Sequence, residues 1–239
     1  MIMSERFYAG AYWPARAETA EACAARAATC LAKLGEVDPL LATWFHKGGS
    51  PKLAQRPFPT DTESLVGELL RGRNRRDSDR SVIVELGFRI SAWNGNDKDP
   101  AAISIGCGKS RQVPGVSNAV VINLPPPSER SAEIYSREGA MAVLLALVES
   151  WDPDWATVAS DSLRDLRAAP AGSPVLGWLT YLSRRRGTVP AGLPAPFDAT
   201  PVGTSGSIVS VSEEPPPPDS QLILALERHL GPKLLRKMR

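Results

Sequence analysis

Apolar residues recur at three-, four- and seven-residue spacings through Ile134, Met141, Leu144, Leu145 and Val148, the period of one face of an α-helix. The pattern predicts a long helix over 132–151, with Ser128 upstream as its cap. It stops at Trp151-Asp152-Pro153-Asp154-Trp155. Pro153 has no amide hydrogen to give the helix ladder, and the residue before a proline is driven towards an extended backbone. A second stripe, Ala17, Ala20, Ala24, Ala27, Leu31 and Leu34, predicts an alanine-rich helix over 17–34. Gly35 is placed to cap its end, and Glu18 and Glu21 suit the positive pole at its start. Shorter helices are predicted over 62–70, with Thr62 as cap, and over 161–167. A final helix is predicted over 220–231, followed by a basic tail of Lys233, Arg236, Lys237 and Arg239.

Strand signals fall between these helices. Residues 6–13 are rich in aromatics, and 82–93 reads as a strand with an irregularity at Gly87. Asn94-Gly95 marks a turn, after which 101–107 returns with Ile103 and Ile105 on one face. Residues 118–124, 175–182 and 207–211 complete the set. Three consecutive strands joined by short connections predict an antiparallel meander. The fold class is therefore α+β, an antiparallel (mixed) sheet packed by helices within a single domain over 1–239. A strand, an alanine-rich helix, an Asp-Pro step and a tryptophan follow one another at 6–45 and again at 118–155. That order predicts two related β-α lobes, 6–112 and 113–212.

Composition narrows the function classes. The 239-residue chain is 43% hydrophobic and 23% charged, the balance of a globular domain. A net charge of +2 gives no global pull towards nucleic acid or membrane. The three cysteines, Cys23, Cys30 and Cys107, form no CxxC pair, and His46 and His229 are the two histidines. Metal-ligand spacing is absent, so no metal or cofactor is expected, and reduced, partly buried thiols are. There is neither a basic, apolar leader pattern nor a run of about twenty apolar residues, which predicts a cytoplasmic protein.

The search for chemistry returns little. The chain carries no phosphate loop, no nucleophile elbow and no zinc helix, and so no catalytic residue is assigned. His46 sits beside Lys47-Gly48-Gly49 with no orienting acid evident. Arg71, Arg73, Arg75 and Arg76 form a short basic run that reads either as a solvated turn or as a nucleic-acid contact. The corner at 149–155 reads two ways. Trp151 and Trp155 can fill the core while the acids cap a turn. Alternatively Glu149, Trp151, Asp152, Asp154 and Trp155 form a protein-binding corner of aromatic anchors and fixed negative charge.

Several segments together resemble a known family. They are Tyr12-Trp13-Pro14, the stretch from Asp38-Pro39 to Phe45, and the segment from Leu69 to Asp77. With them go the stretch from Glu85-Leu86-Gly87-Phe88 to Asn94-Gly95, Trp151-Asp152-Pro153-Asp154-Trp155 and Gly177-Trp178-Leu179-Thr180-Tyr181-Leu182-Ser183. Their order and content resemble the immunity protein 52 family of bacterial polymorphic toxin systems, from about Tyr8 to about Val211. The resemblance implies a cognate inhibitor, made beside a secreted toxin and bound to it. It further implies a restriction-endonuclease-like nuclease effector delivered by type VI secretion as the partner. The family supplies no catalytic residue, so the five corner residues are toxin-contact candidates on chemistry alone. An uncharacterised hydrolase-like enzyme and a nucleic-acid binder using the arginine run are the alternatives.

Overall fold

The computed structural model describes residues 5–48, 54–111, 117–167, 172–217 and 221–237. Its organising strand is β1 (Phe7–Trp13), whose sequence alternates two faces. Phe7, Ala9, Ala11 and Trp13 point one way; Tyr8, Gly10 and Tyr12 point the other. β1 is flanked antiparallel by β5 (Asn118–Asn123) and β6 (Trp155–Ser160). The remaining strands are β2 (Phe45–His46), β3 (Phe88–Trp93), β4 (Ala102–Cys107), β7 (Leu179–Ser183), β8 (Asp198–Val202) and β9 (Gly206–Ser210). They complete one nine-stranded sheet of order β2-β3-β4-β5-β1-β6-β7-β9-β8. Every pairing among the described residues is antiparallel. The expected meander is present as β3-β4-β5, turned at Asn94.

Three helices cover the first face. α1 (Ala20–Val37) lies beside both α2 (Thr62–Arg71) and α3 (Arg137–Trp151). α3 crosses β1, β6 and β7, and α2 reaches β3. Small residues on α1, with Ala20, Ala24 and Ala27 buried, allow this close approach. Trp13 of β1 stacks on Trp151 of α3 with ring centroids 5.2 Å apart. Cys23, Cys30 and Cys107 are unlinked and buried in the same layer. Two further helices are α4 (Asp161–Arg167) and α5 (Gln221–Leu234), the latter kinked at Gly231-Pro232.

Several boundaries differ from the pattern, each for a local reason. α1 starts at Ala20 because Thr19 caps it, accepting from the Ala22 amide at 3.2 Å. Gly35 is inside the helix and is no cap; a Cβ there would lie 3.2 Å from Ala42 Cα, a tight contact with the residue after the 3-10 turn (Pro39–Leu41). Asp61, not Thr62, caps α2, accepting from Ser64 N at 2.8 Å. Ser128 caps a 3-10 turn instead of α3, and Ser136 caps α3. The 82–93 strand is broken: a 3-10 turn (Val84–Leu86) and Gly87 at φ 59° lift the chain off the sheet before β3 begins. The strand read over 175–182 starts later, at Leu179. β8 lies in the proline-rich connection that periodicity did not resolve; it is an edge strand, the place where Pro201 costs no ladder bond.

β1, from the segment read as the first β-α unit, sits between β5 and β6, from the segment read as the second, in one sheet. The boundary read near Val113 falls outside the described residues.

Burial divides the sheet. Over β1, β6 and β7 both faces are covered, with every β6 and β7 residue buried. Over β3, β4 and β5 one face is covered, by Ile90, Ile103, Ile105, Val120 and Ile122 packing inward. The opposite face, bearing Arg89, Ser91, Ser104, Ala119 and Val121, stays partly open.

Candidate functional site

The corner at the end of α3 is built from its backbone. Asp152 takes the left-handed conformation at φ 45°, ψ 61°, not the extended one that the following proline favours. Its amide closes the helix on the Val148 carbonyl. Asp tolerates this region better than most residues, and its neighbours hold it there. The Arg185 guanidinium spans both Asp152 carboxylate oxygens, at 2.9 and 3.1 Å, and also donates to the Asp152 and Pro153 carbonyls. Arg16 donates to the Trp151 carbonyl at 2.9 Å.

The five contact candidates separate sharply. Trp151 is 0% exposed, in the core against Trp13; Trp155 is 3% exposed and stacks on Tyr12 at 4.1 Å. Neither ring has surface to give a partner, so the anchoring role read from the sequence is corrected to a packing role. Asp154 is largely buried and takes its hydrogen bond from Arg186. It is a structural acid. Glu149 and Asp152 alone of the five are exposed, and each already holds a cation: Lys33 at 2.7 Å and Arg185. The hydrogen bond from Lys33 to Glu149 raises the lysine pKa. The corner therefore presents paired charge of both signs, not a bare negative patch.

His46 has a partner that spacing did not reveal. Its Nε2 lies 3.5 Å from Glu68 Oε1, which Arg71 also holds at 2.6 Å. Phe58 meets the imidazole edge-on at 5.1 Å. The imidazole Nε2 makes no hydrogen bond, and no group of His, Cys, Asp and Glu among the described residues could hold a metal. His229 is exposed beside Phe197. No helix among the described residues is long and apolar enough to cross a membrane.

A different surface stands out on the open face of the meander. A hollow of about 400 Å³ is floored by Ser104, Gly106, Ala119 and Val121 and walled by Leu86, Phe88, Arg89 and Lys109. The Lys109 amine donates to the Ser117 carbonyl and reaches over Gly106, whose missing side chain leaves it room. Burial, with the Arg89 charge next, lowers the Lys109 pKa. Beyond the Val84–Leu86 turn lies a second hollow of about 290 Å³, lined in part by Leu70, Arg73, Val84 and Phe88. Val84 is 72% exposed at the ridge between them. The sequence signal was the apolar Val-Ile-Val-Glu-Leu run at 82–86, which its strand-like pattern disguised.

The family model described as Immunity protein 52 matches residues 5–216. No curated protein matches the sequence. Among solved structures, Pseudomonas aeruginosa T6SS protein PA0821 has a similar fold, with a TM-score of 0.51 and 12% sequence identity. The similarity covers 95% of this chain and 76% of that one.

Proposed function

The chain belongs to the immunity protein 52 family, and from that premise we propose that it binds one cognate toxin and neutralises it. The single observation carrying this reading is the family match over residues 5–216, nearly the whole described fold. The architecture supports it. A wide, well-packed sheet and its helices give a rigid platform, and rigid platforms bind with little loss of conformational freedom. Neutralisation needs shape, a desolvated centre and complementary charge, and no chemistry of its own.

The finer proposal is that the toxin is a nuclease effector of a type VI secretion system, of the restriction-endonuclease-like kind, met in the cytoplasm. The similarity in fold to a protein titled as a T6SS protein supports that system as the setting. Of the corner residues, Glu149 and Asp152 alone keep exposed side chains, and each is already held by a cation, so neither is assigned as a contact.

The test is a rescue experiment. Cells expressing the toxin encoded in the neighbouring gene are scored for viability and chromosome integrity, with and without this chain. Restored viability with intact DNA supports a nuclease partner. Restored viability where the toxin never degraded DNA keeps the immunity reading and overturns the nuclease one. Continued killing at full expression of the folded chain overturns both.

A further inference from the structure

The hollow on the open face of the meander holds an electrostatic imbalance. Among the described residues, its lining includes the cations Arg89 and Lys109 and not one carboxylate. Arg89 is exposed, and its side chain has no ion pair among the described residues. Lys109 is half-buried, and carbonyl oxygen, not carboxylate, satisfies it. Two like charges placed together beside apolar walls repel one another, and leaving a cation poorly solvated is costly. That cost drives Lys109 towards neutrality, the direction of its pKa shift. An outside carboxylate would reverse it.

The ridge beside the hollow has the other property of an interface. Val84 and Leu70 are two of the large apolar side chains left exposed among the described residues, and both belong to this region. An apolar centre with a charged rim is the anatomy of a specific protein–protein contact. Acids are present too: Glu85 follows Val84, Asp77 and Asp79 lie along the same segment, and Glu18 and Glu21 line the second hollow, so the uncompensated positive charge is confined to the sheet-face hollow.

We propose that this face, centred on Val84 with Arg89 and Lys109 in the adjacent hollow, is the docking surface for the toxin, which inserts an acidic side chain between the two cations. The inference rests on the immunity reading above. A protein occupant fits better than nucleic acid. The hollow is largely apolar and carries two isolated cations, whereas a phosphate backbone is held by a continuous basic track. The basic run at Arg73, Arg75 and Arg76 then serves as the rim that speeds encounter with an acidic partner.

The experiment measures binding of the full chain to the toxin from the neighbouring gene, its active site inactivated, by titration calorimetry at low and high NaCl. The variants are Arg89→Glu, Val84→Asp and, as a comparison, Glu149→Ala, each checked for an unchanged thermal melt; a 20-base-pair DNA duplex is titrated in parallel. The expected result is that Arg89→Glu and Val84→Asp each weaken toxin binding on the order of thirtyfold or more, that salt weakens the wild type, and that Glu149→Ala does neither. Wild-type affinity in both folded variants overturns this surface and leaves the immunity reading standing. Absence of toxin binding by the folded wild type overturns that reading and this inference with it. Duplex binding that Arg89→Glu abolishes, with toxin binding intact, assigns the face to nucleic acid and overturns the proposal.

Discussion

Asp154 accepts a hydrogen bond from Arg186, and the arginine side chain is 2% exposed. The same guanidinium donates to the carbonyls of Leu234 and Arg236, tying the end of α5 to the strand end at β7. One buried cation thus joins the α3–β6 corner to the chain's C-terminal helix. Burial lowers the arginine pKa and Asp154 opposes it. A buried pair of this kind contributes little net stability as a pair, yet removing one partner strands the other charge.

Asp154→Ala is therefore expected to destabilise the fold by about 3–5 kcal/mol, the usual cost of an orphaned buried charge. Urea denaturation measures it. A midpoint within error of the wild type would show that water already solvates Arg186.

Glu149→Ala, by contrast, removes a pair whose side chains are 38% and 47% exposed. Solvent screens such pairs, and the expected change is below about 1 kcal/mol. The same denaturation series compares it directly with Asp154→Ala. Equal losses would contradict the assignment of one acid to the surface and the other to the interior.

A side chain at Gly177 has nowhere to go. A Cβ there would sit 2.3 Å from the Val158 carbonyl oxygen, a backbone atom in the centre of the sheet. Gly177→Ala should push β6 from its place at a cost of about 1–3 kcal/mol. For a chain of this size that lowers the melting temperature by roughly 2–4 °C for each kcal/mol. An unchanged melt would mean that the segment before β7 shifts freely.

Alkaline conditions should weaken the fold. Burial pushes the Cys30 thiol from its ordinary value of 9.0 up to about 12, and Tyr12 from 10.0 up to about 12. Above about pH 9 the unfolded chain loses protons that the folded chain keeps, so stability falls as pH rises through this window and is fully present below it. Because thiolate is the reactive form, the folded chain should also resist alkylation at pH 8 until denatured. Rapid labelling of Cys30 under native conditions would contradict its burial.

The sequence carried the two long helices, the meander and the Asp-Pro stop because each rests on local period or local backbone chemistry. It could not show that β1 lies between β5 and β6, since strand order is fixed by contacts more than a hundred residues apart. For Trp151 and Trp155 the sequence left a core-filling and an anchoring reading open, and only the sheet reveals that both rings are buried. The His46–Glu68 approach is likewise tertiary, made between an edge strand and α2. Val84 was misread because an apolar run has the same composition whether it pairs in a ladder or crosses above it. The family resemblance rested on aromatic segments such as Trp178, whose buried indole donates to Ser212 at 2.9 Å. Those segments mark the scaffold, and the open face beside it carries little signature of its own.

The central claim is that this chain acts by occupying another protein. The most direct measurement is calorimetric titration of the purified chain into the inactivated toxin from the neighbouring gene. The account predicts a saturable complex of defined stoichiometry that co-elutes on gel filtration. A folded chain that releases no heat and elutes apart from the toxin would contradict it.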